Sequence, residues 1–243
     1  MVSLMYQKLA ALEQESDYTT ADKVLDILLL SPGDPPDWGD NVSEDPVSLG
    51  LADQNSLRSQ VLDPRKVARL HGNSSGYISP TKARTLLGLR RTYHFSLTMR
   101  PVLNVEVSGN GTFVFTVRNS KGLLAPNVNI TAYYVPESLV PGDDYPSSTN
   151  ITRIDGTCAL TFQFEADHVL VIRAEQLGVG VTVTHPSGYS FMVEGGRVFA
   201  SEALLISELV YSTGLVSGID KETVSRFVEV GGSTYLLQLE LWG

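Results

Sequence analysis

The side chains with the clearest capacity for chemistry are the carboxylates of one acidic segment. Residues 31–50 contain four prolines and a run of acids, of which Asp34, Asp37 and Asp40 are the candidate metal ligands. Closely spaced carboxylate oxygens suit a hard cation such as calcium. The spacing matches no EF-hand, and the prolines restrict how the segment can wrap around an ion. The sequence therefore favours a solvated acidic loop without a metal, with calcium binding as the alternative.

Residue types that serve catalysis are present, but the sequence does not arrange them for it. The four histidines include no pair at a metal-ligand spacing, and a nucleophile elbow, a phosphate-binding loop and a complete dinucleotide fingerprint are all missing. Cys158 shares its parity with Leu160 and Phe162 on a predicted strand, which is typical of a small buried core residue. No pair of carboxylates has an apolar setting that would raise a pKa. We predict that the chain is not an enzyme and binds no cofactor.

Five asparagines occur in Asn-x-Ser/Thr sequons: Asn41, Asn73, Asn110, Asn129 and Asn150. With nine asparagines and 42 serines and threonines among 243 residues, chance alone gives about 1.6 such sequons. Asn110 falls in a predicted hairpin turn, Asn129 on the outward side of a predicted strand, and the other three in predicted loops. Turns favour these residue types in any case, which is the alternative explanation. We predict that the asparagines are glycan acceptors and that the protein is extracellular.

The overall composition excludes several classes of function. Lys and Arg number 18 against 27 Asp and Glu, a net charge of −9, whereas nucleic-acid binding requires clustered basic residues. A single cysteine excludes a disulfide framework within the chain. No apolar window is long enough to cross a bilayer. What remains is an acidic globular protein with no nucleic-acid partner.

The first part of the chain shows helical periodicity. Its apolar residues predict a helix over the first 30 residues, interrupted by a polar stretch after which Thr19 or Thr20 supplies a fresh N-cap. Two short helices are predicted to open at Asp63 and Ser79, because each of these precedes a proline suited to the first helical position.

Beyond residue 91 the apolar residues recur at every second position and no longer at helical spacing, which is typical of strands. Turn residues and alternation predict hairpins around residues 108–111 and 231–232 and a loop at residues 136–150. The apolar residues 198–211 could form helix or strand, and we favour strand. We therefore predict an α+β protein. Residues 1–91 form an N-terminal helical segment, and residues 92–243 form an antiparallel β-sandwich of immunoglobulin-like type.

The sequence around the end of the first helix resembles that of archaeal type IV pilin-like surface proteins. The similar segments are residues 28–39 (LLLSPGDPPDWG), residues 49–52, Lys66-Val67 with Leu70, Tyr77, residues 86–89, residues 93–95 and the C-terminal residues 237–242. The N-terminal part of the resemblance covers residues 20–95.

The resemblance implies export through a pilin-type (class III) signal peptide and a hydrophobic N-terminal helix that holds the protein in the membrane. No basic leader, processing site or hydrophobic span precedes Leu4, and we expect the anchor to belong to a longer native chain. The implied function is that of a non-enzymatic ectodomain at the cell surface, either of a filament subunit or of a membrane-anchored component. Its implied partners are other pilin-like subunits or cell-envelope proteins.

Residues 120–175 resemble an immunoglobulin-like or carboxypeptidase-regulatory-like module, and such modules are usually adhesive or structural. The similar segments are residues 126–134 and 155–162. The alternative function is an extracellular binding module, for calcium at the acidic segment or for carbohydrate at Trp38, Tyr133 or Tyr134. Aromatic faces stack on sugars, and only one of two adjacent strand tyrosines can face outward.

Overall fold

The computed structural model describes residues 19–138, 144–163, 168–201, 208–214 and 221–243. Strand predominates over helix in this part of the chain. The helices are α1 (Thr20–Leu30), α2 (Pro64–Ala68) and α3 (Pro80–Leu86). The strands are β1 (Val61–Leu62), β2 (His94–Pro101), β3 (Leu103–Asn110), β4 (Thr112–Asn119), β5 (Asn129–Pro136), β6 (Ser147–Ile151), β7 (Thr157–Thr161), β8 (His168–Gln176), β9 (Val179–His185), β10 (Phe191–Glu194), β11 (Arg197–Ala200), β12 (Leu209–Ser212), β13 (Lys221–Val230) and β14 (Ser233–Trp242).

Each helix begins directly after a residue whose side-chain oxygen caps it. Thr19 caps α1, since its hydroxyl accepts a hydrogen bond from the backbone N–H of Asp22 at 3.2 Å. Asp63 and Ser79 cap α2 and α3 in the same way, each next to a proline. These three predictions are confirmed, while residues 1–18 of the predicted N-terminal helix lie outside the described residues.

The first sheet has the strand order β1-β13-β14-β2-β12, with β1 parallel to β13 and the other pairs antiparallel. One face of it is covered by α1 and by the loops and short helices that follow. The buried side of α1 consists of Ala21, Val24, Leu25, Leu28 and Leu29. Residues from both sides of the predicted boundary at residue 92 therefore share one core, and the boundary itself stays a prediction.

Two further antiparallel sheets face each other. The second sheet has the order β3-β4-β7 and the third the order β6-β5-β8-β9. Their inward side chains form one apolar core, to which Phe115 of β4 and Ile172 of β8 belong. The opposite face of the third sheet carries the β10–β11 hairpin, which buries Phe191 and Val198 against it. A β-rich architecture with several antiparallel sheets is thus confirmed.

The predicted hairpins are confirmed at their turns. Asn110 pairs with Thr112 across Gly111, whose φ of +80° lies in the left-handed region that glycine favours. Val230 pairs with Ser233 across two glycines that also have positive φ. Asn-Gly and Gly-Gly therefore form the tight connections that their backbone freedom predicts.

The prediction of a loop over residues 136–150 is wrong in its second half. Residues 147–151 form strand β6, which pairs with β5 along its whole length. The sequence of β6, SSTNI, lacks the alternation of apolar and polar residues by which a strand is recognised. Of the predicted strand at residues 198–211, both ends lie in strands β11 and β12, and residues 202–207 lie outside the described residues.

Candidate functional site

The acidic segment predicted to hold calcium is organised around two basic side chains of the α2 region. Lys66 lies on α2 and Arg69 directly after it, and both are almost fully buried, with relative exposures of 0% and 2%. The cap at Asp63 and the apolar contacts of Val67 and Leu70 fix this short helix in the first core. The two cations thereby point into the folded segment instead of into solvent.

Lys66 joins the start of the acidic segment to the residues that follow its end. Its ammonium donates to the carbonyl oxygens of Pro32 and Ala52, both at 2.9 Å, and lies 3.9 Å from a carboxylate oxygen of Asp63. Burial lowers the pKa of the Lys66 ammonium, and nearby carboxylates, led by Asp63, oppose that shift. A side chain added at Gly39 would lie 2.9 Å from the Lys66 methylene chain, so the loop packs directly on the lysine.

Arg69 binds three carbonyl groups of the loop, and a fourth at Gly76, with its whole guanidinium fork. It donates to Gly76 O at 2.8 Å, to Asn41 O at 2.9 Å, to Glu44 O at 3.0 Å and to Trp38 O. The guanidinium carbon also lies 5.2 Å from the centre of the Trp38 ring, within the range of a cation–π interaction. Burial lowers the pKa of Arg69, and the Asp45 carboxylate opposes the shift.

The carboxylates of the segment are not gathered around a common point. Asp40 pairs with Arg65, and Asp45 pairs with Lys82. Asp34 and Asp37 are exposed, and among the described residues no group of three potential ligands could hold a metal ion. The geometry therefore does not favour calcium at this segment, because the carboxylates of Asp40 and Asp45 and several loop carbonyls contact the protein's own cations.

The aromatic side chains proposed to contact a sugar are buried and cannot reach one in solvent. Trp38 is 1% exposed and its Nε1 donates to Gly50 O at 2.9 Å, inside the first core. Tyr133 and Tyr134 face opposite sides of the third sheet, but each side is covered by another layer. Neither tyrosine offers an outward face to a sugar, because the third sheet is the middle layer of three.

All five sequon asparagines are exposed. Asn41 and Asn73 lie in loops, Asn110 lies at the β3–β4 turn, and Asn129 is on the side of β5 that faces away from the core between the second and third sheets, as predicted. Asn150 lies on β6 and not in a loop, so its predicted position is wrong. Its side-chain amide donates to Ala159 O of β7 at 2.9 Å and bridges the edges of the second and third sheets.

The residues considered for catalysis lie apart. Cys158 is buried in the core between the second and third sheets, and burial raises the pKa of its thiol. His94 stacks on Trp242, and His168 stacks on Tyr134. Within the described part of the chain, the geometry brings no histidine and carboxylate pair to a nucleophile.

Sequence reasoning missed the central role of Lys66 and Arg69. The available signal was a basic pair spaced by three residues on the helix predicted to open at Asp63, whose predicted apolar side is Val67 and Leu70. Such spacing places basic and apolar side chains on neighbouring parts of the helix surface. The proximity of an acidic, carbonyl-rich loop could not be read from that spacing alone.

The chain was compared with known protein families, with curated proteins and with solved structures, and none of the three comparisons found a match. Among the described residues, no helix has the length and apolarity needed to cross a membrane.

Proposed function

We propose that this chain is the non-enzymatic ectodomain of a cell-surface protein of the pilin-like type. The observation that carries the proposal is the exposure of all five sequon asparagines, as expected of glycan acceptors, although the Asn150 amide donates to Ala159 O. Asparagines buried in a core could not have carried a glycan. The excess of sequons over chance and the resemblance of residues 20–95 to pilin-like proteins support the same function.

The packing of α1 supports the proposed anchoring through an N-terminal helix. Its apolar side is buried against β13 and β14, and polar contacts hold its first turn. The Asp22 carboxylate accepts from Arg226 at 2.9 Å, and Glu222 accepts from the backbone N–H of Ala21 at 2.9 Å. A membrane anchor joined to this helix would be connected to the folded domain through its main core.

The second and third sheets support the finer proposal of an immunoglobulin-like module. Their inward side chains share one core, and their edges approach each other where β6 lies beside β7. In this proposal the paired sheets face outward from the cell and present adhesive or structural surfaces. The partners are other pilin-like subunits or proteins of the cell envelope.

The proposal is tested in the native host by cell fractionation, by protease treatment of intact cells and by intact mass. We expect protein in the membrane fraction, cleavage from outside and added mass at the sequons. Asn73→Gln and Asn129→Gln should each remove the mass of one glycan, whereas Asn55→Gln, at an exposed asparagine outside any sequon, should remove none. Unmodified protein confined to the cytoplasm would overturn the proposal.

The calcium alternative has its own direct test. A ligand that binds only the native state must raise the midpoint of thermal unfolding. Because Lys66, Arg65, Arg69 and Lys82 already engage oxygens of the acidic segment, we expect added calcium to leave that midpoint unchanged. A concentration-dependent increase that is lost in Asp37→Asn would establish the calcium site instead.

A further inference from the structure

Strand β13 leaves most of one edge open. It pairs with β14 along its whole length, whereas β1 covers only its last two residues on the other side. The N–H of Glu229 donates to Gln60 O at 2.9 Å, so the backbone groups of Glu229 point away from β14. Because that direction repeats at every second residue of an antiparallel strand, the backbone groups of Thr223, Ser225 and Phe227 also point outward. Among the described residues, no strand pairs with them on that side.

We call residues 221–227 of β13 the open edge. Its side chains are exposed, Phe227 at 57%, apart from the half-buried Val224 and Arg226. Edge strands commonly carry a proline or a bulge that prevents further pairing, but the open edge contains no proline and its register with β14 is continuous. Of its outward backbone groups, the carbonyl of Ser225 accepts from the Arg226 guanidinium at 3.0 Å. A neighbouring strand could replace that contact with a backbone N–H.

The open edge is complementary to a second copy of itself. In an antiparallel pairing about a twofold axis at Val224, Glu222 lies opposite Arg226 of the second copy, and Val224 lies opposite its own counterpart. The outward backbone groups then face each other, so that Thr223 and Ser225 of the second copy exchange two hydrogen bonds. Opposite charges and apolar side chains placed directly across from each other stabilise a strand pair.

We propose that two copies of the chain form a symmetric dimer by pairing along the open edge, with one sheet continuous across both copies. The remaining pair in this register is Lys221 opposite Phe227 of the second copy, where the aliphatic stem of the lysine covers the exposed ring. Every pair of facing side chains is therefore compatible. The interface is isologous, because the same surface serves both copies, and it closes at two chains.

Other registers fit less well. With Ser225 opposite itself, the second copy would overlap β1 at Glu229. With Thr223 opposite itself, Phe227 would lie beyond the start of β13 in the second copy. Parallel pairing in register would place Glu222 beside the same acid of the second copy. The antiparallel register described above avoids all three conflicts.

The charges beside the open edge are compatible with this pairing. Glu222 accepts from the N–H of Ala21 and Arg226 donates to Asp22, both at 2.9 Å, so both side chains lie on the α1 side of the sheet. A guanidinium has five N–H donors, so Arg226 can bind Asp22 and Glu222 of the second copy together. The other charged side chains of β13 are paired within the chain, Lys221 with Glu240 and Glu229 with Arg58. The net charge of −9 on each copy opposes association at long range, and physiological salt screens that repulsion.

Analytical ultracentrifugation of the 243-residue chain over a range of concentrations tests the proposal. We expect a concentration-dependent shift to twice the mass of one chain. Ser225→Pro removes an outward N–H and no bond to β14, so the fold is retained. It should raise the dissociation constant at least about thirtyfold, because the twofold axis loses the bond twice. A monomer at every concentration, or an unchanged dissociation constant in Ser225→Pro, overturns the proposal.

Val210→Pro is the matched control, because it places proline on β12, the other edge strand of the same sheet. The N–H of Thr213 donates to Phe95 O, so the alternation along the chain directs the N–H of Val210 away from β2. Val210→Pro should leave the dissociation constant of the dimer unchanged. An equal loss of association in both proline variants would place the interface elsewhere and would overturn the proposal.

Val224→Cys tests the register. Two cysteines directly opposite each other in a non-hydrogen-bonded pair lie within the range of a disulfide, so mild oxidation with copper phenanthroline should link two chains. Val210→Cys, at a valine that is 64% exposed, should give no linked dimer, and the native Cys158 is buried. Absence of the link in Val224→Cys, under conditions where the parent chain associates, overturns the proposal.

Charge reversal tests the pair that joins the two copies. Glu222→Arg and Arg226→Glu each place like charges opposite each other, and each should raise the dissociation constant about tenfold. The double variant restores opposite charges and should return the constant to within about threefold of the parent value. Because each single variant also loses a contact to α1, urea unfolding is measured alongside to show that the fold is retained. Weakening in the double variant equal to the sum of the single losses would contradict the pairing.

The dimer does not depend on the proposed location of the protein. Ultracentrifugation uses the chain without any added anchor or glycan, and it measures only self-association. A monomeric chain leaves the proposed surface function intact, whereas cytoplasmic, unmodified protein in the native host would refute that function alone.

Discussion

Replacement of Arg69 by methionine tests whether the buried guanidinium holds the acidic segment in place. Arg69→Met keeps an apolar stem of similar length but removes every donor to the carbonyls of Trp38, Asn41, Glu44 and Gly76. Hydrogen bonds to charged donors contribute about 1.5–3 kcal/mol each where no water replaces them. Of the four carbonyls only that of Trp38 is in a fully buried contact, so water can reach the other three.

The net effect follows from these opposing contributions. Leaving the buried Trp38 carbonyl without a donor should lower the free energy of unfolding by about 1–3 kcal/mol. Each of the three other carbonyls should lower it by about 0.5–1 kcal/mol, and loss of the contact with the Trp38 ring by about 0.5–1 kcal/mol. The desolvation of a buried cation is recovered and offsets part of this loss. We therefore expect Arg69→Met to lower the free energy of unfolding by about 3 kcal/mol, and Arg69→Lys by less, because the ammonium keeps the charge but loses the fork.

Urea unfolding followed by far-ultraviolet circular dichroism measures this loss. Lys82→Met is the control, because its ion pair with Asp45 joins side chains that are 42% and 49% exposed, and such a pair contributes at most about 1 kcal/mol. Limited proteolysis should also cut Arg69→Met within residues 31–50 faster than the parent chain. Equal losses for Arg69→Met and Lys82→Met would show that water replaces the guanidinium without penalty, and would refute the reasoning.

Three further predictions concern buried polar groups of the cores. Tyr211→Phe should lower the free energy of unfolding by about 1–2 kcal/mol in urea titrations, because the buried hydroxyl donates to Ile78 O at 2.7 Å. Burial lowers the pKa of His71, whose Nε2 has no hydrogen-bond partner among the described residues. The folded state therefore binds a proton more weakly than the unfolded state, and stability falls as the pH drops below about 6.5. His71→Phe should remove that part of the pH dependence, as seen from urea midpoints on either side of this pH. Cys158, whose pKa burial raises, should react with Ellman's reagent only after unfolding, and rapid reaction of the native protein would contradict its placement in the core.

Features set by local chemistry could be predicted from the sequence. The caps at Thr19, Asp63 and Ser79 depend on a side-chain oxygen placed next to its own helix, and the hairpin turns depend on glycines that accept positive φ. In both cases the contact that determines the local structure joins residues only a few positions apart in the sequence. A short window of sequence therefore contains all the information that is needed.

Features set by distant contacts could not be predicted in this way. Strand β6 is polar and is specified by its pairing with β5, and β1 is a two-residue strand that pairs with the end of β13. The burial of Lys66 and Arg69 belongs to the same class, because charged residues are usually exposed and only the fold of residues 31–50 supplies their carbonyl partners.

The junction between the sheets explains how an anchor on α1 would control the orientation of the paired sheets. Strand β2 continues into β3 through Val102, whose N–H donates to Thr234 O at 3.2 Å. The hydroxyls of Ser233 and Thr234 accept from the edge strand β9, and Arg173 donates to Gly232 O at 2.5 Å. The β13–β14 hairpin therefore has α1 packed along its length and the third sheet bonded to its turn. Because such bonds restrict rotation about the covalent crossing at Val102, a displacement of α1 would be transmitted to the paired sheets and would not be absorbed between them.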